Sequence, residues 1–256
     1  LARWDREVAE EGGWNSLYFE NHDQPRSVSR WGDDDPAWRV RSAKALAGML
    51  HAHRGTPYVY QSQELGQVNF PWESLEQFRD IEVLNYVRES EQFGHGSFAE
   101  LLPGISDMNR DNARTPMPWT AIESGTLSEE AKAWWTLTAR VFKARNSLRA
   151  LQSGGLRWLH AGEDSLTFVR TDSTQPVLVH LARAPHDTIT LPASLVLASL
   201  RAGSADVTHS PGLTVETSGA ADGAEPSDLI MTLRAERAGF VITPMRPYTD
   251  ADTHVL

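Results

Sequence analysis

The residues best suited to chemistry are the consecutive Asn21, His22 and Asp23, which are followed by Gln24 and Pro25. Residues 17–20 before them are Leu, Tyr, Phe and Glu; the first three favour β-structure, and a proline ends a strand because it has no ladder donor. The sequence therefore predicts a short buried strand that carries an imidazole and a carboxylate at its C-terminal end. Catalytic groups lie at that end in parallel β/α barrels. A hydrogen-bonded Asx turn explains the same local pattern equally well.

A capped helix and a second strand follow this cluster. Asp35 and Pro36 predict the start of the helix, because aspartate accepts from free helical amides and proline suits the first turn. Gly55 predicts its end, and residues 56–60 predict a second buried strand. The order strand, polar tip, helix, strand predicts that the two strands are parallel. Apolar residues recur at helical spacing between the two helix signals: Val40, Ala43, Ala47 and Leu50.

Two further helices are predicted before residue 150. Ser74, with Gln77 three residues later, predicts a capping box. Ser128 predicts the cap of a later helix that runs to about Asn146. We expect residues 1–15 and 94–109 to form loops. The residues expected to face the core in the two helices are Leu75, Phe78, Ile81, Leu84, Trp134, Leu137 and Val141.

Charged residues lie in the helix predicted from Ser74 and in the segment after residue 109. Within that helix, the spacing of Arg79, Asp80 and Glu82 alone favours a solvated helix face. Residues 110–119, RDNARTPMPW, contain two arginines and two prolines, which excludes a regular element. Such a rigid loop either braces the fold or presents its arginines.

The pattern changes near residue 153 to short β-rich runs separated by turns. Strands at this spacing predict an antiparallel sandwich, so we expect two domains, residues 1–152 and 153–256. Residues 203–227 are rich in Gly, Ser, Ala, Pro and Asp and predict a surface loop. The predicted strands are residues 156–160, 165–170, 177–181, 188–191, 229–233 and 240–243.

Composition excludes several classes of function. The net charge of −10 argues against a nucleic-acid partner, because no basic stripe could release counterions, and no apolar run is long enough to span a membrane. The chain contains no cysteine, which excludes thiolate metal sites and fits a reducing compartment, so we expect a cytoplasmic protein. His51 and His53 would lie on different helix faces, which argues against a metal pair there. We expect no metal and no cofactor.

Four motifs in order carry a family resemblance. They are ENHDQPRSVSRWG (20–32), RGTPYVYQSQELG (54–66), FRDIEVLN (78–85) and RDNARTPMPW (110–119). Together they resemble the second half of an α-glucosidase of glycoside hydrolase family 13, similar to the oligo-1,6-glucosidase and dextran glucosidase group. The resemblance implies an α/β fold: the C-terminal part of a (β/α)8 TIM barrel, with its seventh and eighth strands, followed by an all-β antiparallel sandwich domain.

The resemblance also implies an activity and residue roles. The reaction would be retaining hydrolysis of a terminal α-glucosidic bond, which needs a carboxylate nucleophile and a carboxylic acid. Asp23 matches the transition-state stabiliser that binds the 2- and 3-hydroxyls of the sugar, and His22 resembles the histidine at the same sugar edge. Arg110 matches the arginine that holds the 4-hydroxyl. Glu82 resembles a carboxylate on the acceptor side of the bond.

The sequence departs from the family in three places. No stretch of the chain matches the nucleophile or the acid/base motif, which lie upstream in the family, so we expect the N-terminal half of the barrel to be a required partner and the isolated chain to be inactive. The family usually has YQGEE where residues 60–64 here are YQSQE. The stretch from Trp119 to Ser128 is shorter than in the family.

Other interpretations stay open beside the α-glucosidase. The chain could be a non-catalytic relative, similar to transporter heavy chains, although those tend to lose the residues retained here. It could also belong to a sucrose isomerase or a glucosyltransferase, which share the hydrolytic residues. Arg26, Glu64 and Arg114 are expected to brace loops rather than to contact the oligosaccharide substrate.

Overall fold

The computed structural model describes most of the first 182 residues with their side chains and several later strands by their backbone. Contacts between Cα atoms divide the chain into two units. Unit 1 comprises Leu1–Leu17, Lys44–Pro57 and Thr136–Leu256, and unit 2 comprises Tyr18–Ala43 and Tyr58–Trp135. The described residues are 2–163, 165–173, 175–182, 189–192, 208–209, 213–218, 230–235 and 239–244.

Helices predominate in the first 153 residues and strands in the remainder. The helices are α1 (Ala2–Glu10), α2 (Ser27–Trp31), α3 (Arg39–Ala52), α4 (Ile81–Phe93), α5 (Phe98–Met108), α6 (Trp119–Glu123), α7 (Glu129–Ser147) and α8 (Arg149–Ser153). The strands are β1 (Ser16–Leu17), β2 (Thr56–Pro57), β3 (Gly155–Ala161), β4 (Ser165–Thr171), β5 (Val177–Ala182), β6 (Ile189–Pro192), β7 (Thr208–His209), β8 (Leu213–Ser218), β9 (Ile230–Ala235) and β10 (Gly239–Pro244).

Strands β1 and β2 are parallel neighbours, as predicted, with Ser16 opposite Thr56. Both are only two residues long, so the longer strands predicted over residues 17–20 and 56–60 were wrong. Gly55 has a φ of +142°, and a Cβ there would lie 2.6 Å from the carbonyl oxygen of Asn15. A residue without a side chain is therefore needed where β2 approaches β1, and it allows Thr56 N–H to donate to Asn15 at 2.8 Å.

Two buried arginines hold the C-terminal end of α3 inside unit 1. Arg145 of α7 donates to the carbonyl oxygens of His51 and Gly55. Arg170 of β4 donates to those of Ala52 at 2.8 Å and His53 at 2.9 Å. The last carbonyls of a helix have no partner within the helix, so these guanidinium groups satisfy acceptors that would otherwise be buried unpaired.

The C-terminal strands form two antiparallel sheets, in the orders β3-β4-β5-β10-β7 and β6-β9-β8. The six strands predicted in this part are all present within one or two residues, and their antiparallel pairing is confirmed. Residues 203–227 were predicted to be a loop, which is wrong for β7 and β8. The other residues of that segment lie outside the described part of the chain.

The helix that was predicted to begin at Ser74 is two elements. Ser74 and Gln77 form the predicted capping box, but around a single 3-10 turn, Leu75–Gln77, and α4 begins only after Asp80. Phe78 is buried, as predicted, and stacks on Trp72 with ring centroids 4.4 Å apart. Ile81, which was expected in the core, is exposed because the new helix begins there with a different phase.

Two segments that were predicted to be loops are helical. Residues 1–15 contain α1, and residues 94–109 contain α5, which opens with a second capping box formed by Ser97 and Glu100. Helix α5 packs on α4 through Ile105, which joins a buried cluster with Phe78. The helix predicted from Ser128 is confirmed as α7, where Ala131 N–H donates to the Ser128 hydroxyl.

Candidate active site

Three segments of unit 2 bring the charged residues together. They are the loop after β1, the start of α4, and a 3-10 turn at Arg110–Arg114. The last of these lies within residues 110–119, where the prediction that no regular element forms was wrong for Arg110–Arg114. Arg110 contacts both of the other segments, at Asp23 and at Asp80 and Glu82, whereas Arg114 contacts the loop after β1 at Asp23.

Asp23 lies at the centre of this group. Its carboxylate is 3.0 Å from Nε2 of His22, 3.1 Å from Nη2 of Arg114 and 3.7 Å from Nη1 of Arg110. The side chain is 46% exposed, so it is oriented by neighbours and still open to a ligand. The Asx turn also exists, because Asn21 Oδ1 accepts from Asp23 N–H at 2.9 Å. The turn shapes the loop that presents the carboxylate, so the two interpretations of this motif do not exclude each other.

Arg110 links that loop to the start of α4. Its Nε and Nη2 donate to the two carboxylate oxygens of Asp80 at 2.7 and 2.6 Å, and Nη2 also lies 3.1 Å from Glu82. The hydrogen bond from Arg110 lowers the pKa of Asp80, and the same bond raises the pKa of Arg110. Nη1 of Arg110 lies on the side of Asp23, 3.7 Å from its carboxylate.

Asp80 was missed by sequence reasoning. It is 3% exposed, so the solvated-face interpretation was wrong for this residue, whereas the side chain of Glu82 is 74% exposed. Asp80 caps α4 by accepting from Glu82 N–H at 3.0 Å. Its N-cap position before an amphipathic helix was a signal that could have identified it.

Asp111 holds the start of α4 in place. One of its carboxylate oxygens accepts from the backbone N–H groups of Arg79 at 2.6 Å and Asp80 at 2.8 Å. Asp111 is buried, and its neighbour in sequence is Arg110. The 3-10 turn therefore fixes both the backbone and the side chain of Asp80, and this geometry positions the guanidinium group of Arg110.

Arg26 braces three loops of the site, as expected. It is fully buried and donates to the Glu20 carboxylate at 3.0 Å, to the Gln61 carbonyl at 2.8 Å and to the Asn112 carbonyl at 3.1 Å. Glu20 in turn accepts from Ser27 N–H and its hydroxyl. The buried Glu20 carboxylate therefore joins Arg26 to the first residue of α2.

Arg114 and Glu64 were also expected to brace loops. Arg114 does so, since its Nε donates to the carbonyl of His22 at 3.0 Å while its Nη2 contacts Asp23. Glu64 is half-buried, and this burial raises the pKa of its carboxyl group.

Ser62, at the position where the resembled family has glycine, is buried with a φ of +66°. L-residues rarely adopt this conformation, so the departure strains the turn beside the site.

A cavity of about 590 Å³ opens between α4 and α5. Asp80, Glu82 and Arg110 line one side of it, together with Tyr86 one helical turn further along α4. The cavity and the charged group around Asp23 therefore share Arg110. Within the described residues, no group of three or more side chains suited to holding a metal ion was found, and no described helix is long and apolar enough to cross a membrane.

Comparison with known proteins identifies the family. The family "Alpha amylase, catalytic domain" matches residues 1–155. The glucan 1,6-alpha-glucosidase of Streptococcus pneumoniae is 51% identical over 126 residues, which is 49% of this chain and 23% of that protein. The oligo-1,6-glucosidase of Halalkalibacterium halodurans is 41% identical over 160 residues, 62% of this chain and 28% of that protein. The trehalose-6-phosphate hydrolase of Bacillus subtilis is 38% identical over 160 residues, again 62% and 28%.

Two solved structures resemble the chain over nearly its whole length. The trehalulose synthase MutB from Pseudomonas mesoacidophila MX-45 is 28% identical with a TM-score of 0.71, covering 93% of this chain and 44% of that protein. The isomaltulose synthase from Erwinia rhapontici NX5 is 26% identical with a TM-score of 0.74, covering 96% and 46%. The chain spans less than half the length of these proteins. The chain belongs to the alpha-amylase family, glycoside hydrolase family 13, and its N-terminal 155 residues form part of a TIM-barrel catalytic domain.

Proposed function

We propose that the chain is part of a retaining α-glucosidase that hydrolyses terminal α-glucosidic bonds of isomalto- or malto-oligosaccharides or sucrose-like substrates. The observation that carries this proposal is the Asp23 carboxylate, half-exposed and held by an imidazole and two guanidinium groups. Asp23 is the transition-state stabiliser, His22 and Arg110 bind the same sugar, and Glu82 contacts the acceptor side.

The geometry supports this role for Asp23. The sugar ring becomes cationic in the transition state of glycoside hydrolysis. A carboxylate that is already oriented by Arg114 and His22 does not have to reorganise when that charge develops, so its hydrogen bonds to the sugar lower the barrier. Arg110 binds at the same place while anchored to Asp80. Arg110 therefore orients the sugar as well as providing a positive charge.

The proposal requires residues beyond this chain. The nucleophile and the acid/base match no stretch of its sequence, so the N-terminal half of the barrel is a required partner and the isolated chain is inactive. We also propose a boundary between residues 152 and 153, beyond which the two antiparallel sheets pack as a sandwich. The absence of cysteine supports a reducing compartment such as the cytoplasm.

A hybrid enzyme tests the function. The part of the Streptococcus pneumoniae relative that precedes its matched segment is joined to residues 1–256, and glucose release from isomaltose and maltose is measured. We expect hydrolysis by the hybrid and none by the 256-residue chain alone. Asp23→Asn should lower kcat at least about 100-fold, whereas Asp107→Asn, which changes an exposed carboxylate on α5, should not. An Asp23→Asn hybrid with an unchanged rate would refute the proposed role.

A second candidate is a sucrose isomerase on the same scaffold. It is favoured by the similarity to the trehalulose and isomaltulose synthases over more than nine-tenths of the chain. Incubating the hybrid with sucrose distinguishes the two activities. Glucose and fructose in equal amounts indicate hydrolysis, while an isomeric disaccharide with little free glucose indicates isomerisation.

A further inference from the structure

The loop after β2 contacts the chain that joins the 3-10 turn to α7, residues 115–128, which we call the α7 connection. Gln67 Nε2 donates to the Thr115 hydroxyl at 2.7 Å, and the Ser62 hydroxyl donates to the sulfur of Met117. All four residues belong to unit 2. We call these two contacts the clamp, because they fix the start of the α7 connection to the loop after β2.

The same loop also holds the chain beyond the α7 connection. Trp134 of α7 is 4% exposed, and its indole N–H donates to the carbonyl oxygen of Gln63 at 2.8 Å. Gln63 directly follows Ser62. The chain therefore leaves the loop after β2 at the clamp and returns to it at Trp134, so one loop anchors both ends of the α7 connection.

Ser62 has a backbone conformation that suits glycine better than serine. It is fully buried, and its φ is +66°. In this left-handed region the Cβ of an L-residue crowds the following carbonyl oxygen, whereas glycine has no such penalty. The hydroxyl is the polar group that a serine has and a glycine lacks, and here it contacts Met117. Backbone strain that persists next to a candidate active site points to a function for the strained residue.

The clamp adjoins the arginine that orients Asp23. Arg114 donates to the carbonyl oxygen of His22 at 3.0 Å and to the Asp23 carboxylate at 3.1 Å. Its side chain is 38% exposed, so burial alone does not fix its position. Thr115 and Met117 hold the backbone directly after it. A shift of that backbone would move the guanidinium group away from the carboxylate.

We propose that Ser62 and Gln67 are positioning residues, which hold the backbone after Arg114 and thereby keep its guanidinium group on the Asp23 carboxylate. The catalytic consequence of this inference rests on the proposed glycosidase function. The clamp itself does not, because residues of this chain form it and it can be measured without a substrate.

Trypsin cleavage of the 256-residue chain tests the clamp without catalysis. Trypsin cleaves after Arg114 only when this side chain and its flanking backbone leave their contacts, so the cleavage rate follows local opening. We expect Ser62→Gly and Gln67→Ala each to be cleaved there at least about 5-fold faster than the wild type, because each loses one hydrogen bond of the clamp. Cleavage after Arg88, an exposed residue of α4, should keep its rate, and mass spectrometry of the fragments distinguishes the two bonds.

Ser124→Ala is the matched control. Ser124 is an exposed serine of the α7 connection whose hydroxyl bonds within that connection, to the carbonyl of Thr120 and the hydroxyl of Thr126. This variant should be cleaved after Arg114 at the wild-type rate.

Urea unfolding separates local opening from a loss of global stability. Ser62→Gly should unfold at a urea concentration no lower than the wild type does, because glycine relieves the strained backbone. Wild-type cleavage after Arg114 in either clamp variant would overturn the inference. An equal acceleration of cleavage after Arg88 would also overturn it, because that result indicates global rather than local opening.

The hybrid enzyme measures the catalytic consequence. Ser62→Gly should lower kcat for isomaltose about 5-fold and change KM by less than about 2-fold, because Asp23 acts in the transition state. Met117→Leu removes the sulfur acceptor at nearly constant volume. The double variant should be no slower than Met117→Leu alone, because both substitutions remove the same contact. An unchanged kcat in Ser62→Gly, or effects that multiply in the double variant, would overturn the inference.

Failure of this inference is distinguishable from failure of the glycosidase proposal. If the clamp variants are cleaved after Arg114 at the wild-type rate while Asp23→Asn abolishes hydrolysis by the hybrid, the inference alone is wrong. If the clamp variants open at Arg114 but the hybrid releases no glucose, the clamp positions Arg114 and the proposed hydrolysis is wrong.

Discussion

Acid should destabilise the protein through a buried histidine in unit 1. His51 of α3 is 1% exposed, its ring lies 4.4 Å from that of Phe142, and its Nδ1 has no hydrogen-bond partner. Burial, and then the positive charge of Arg145, lower the pKa of His51 from 6.5 to about 4. The folded protein therefore binds a proton at His51 less readily than the unfolded chain does.

The size and pH range of the effect follow from this shift. A histidine with a lowered folded pKa contributes its full stability above pH 6.5 and loses it as the pH falls towards 4. With about 1.4 kcal/mol per pKa unit, the loss from His51 relative to pH 7 is about 2 kcal/mol at pH 5 and about 3 kcal/mol at pH 4.

Urea unfolding, followed by tryptophan fluorescence at pH 7, 6, 5 and 4.5, measures this loss. His51→Phe keeps an aromatic ring beside Phe142 and removes the titrating group, so it should be about 2 kcal/mol less sensitive to a change from pH 7 to pH 5 than the wild type. His95→Gln, at an exposed position, should keep the wild-type pH dependence. A pH dependence that is identical in His51→Phe and the wild type would refute the reasoning.

Three further variants test single features of the fold by the same unfolding measurement. Asp80→Ala removes both the cap of α4 and the partner of Arg110, so it should be about 1 kcal/mol less stable than Asp80→Asn, which retains a capping side chain; equal stabilities would contradict the capping role. Arg170→Met leaves several buried carbonyl groups unpaired and should cost at least about 3 kcal/mol, and a loss below about 1 kcal/mol would contradict its role in holding α3. Phe78→Ala should cost about 3–5 kcal/mol because Phe78 is buried between α4 and α5, whereas Phe93→Ala should change stability by less than about 0.5 kcal/mol.

Much of the secondary structure was predictable because its signals are local. The six predicted C-terminal strands, the helix after Ser128 and the capping box at Ser74 depend on residues within one or two turns of each other, and all are present. Helix α5 was missed although Ser97 and Glu100 form the same capping signal as Ser74 and Gln77. Residues 94–109 contain three glycines and a proline, which are typical of loops, but Pro103 lies inside α5.

The relation between the site residues was only partly predictable. The family resemblance implied that His22, Asp23, Arg110 and Glu82 bind one substrate, and contacts of 3.0–3.7 Å connect these side chains in the structure. The N-cap signal at Asp80 could have identified a cap of α4, but it does not indicate that the carboxylate is buried and paired with Arg110. Its burial depends on a guanidinium group supplied by a segment 30 residues away.

By itself the sequence determined the family, six of the C-terminal strands and the residues available for chemistry, because these depend on residue types and short spacings. Only the tertiary structure decided that a 3-10 turn carries Arg110, Asp111 and Arg114 between α4 and the Asp23 loop. The same is true of the two arginines that hold the end of α3. The physical reason is that a buried charge is stable only when groups of opposite charge or hydrogen-bonding groups pair with it. Those partners lie from 30 to more than 100 residues away along the chain.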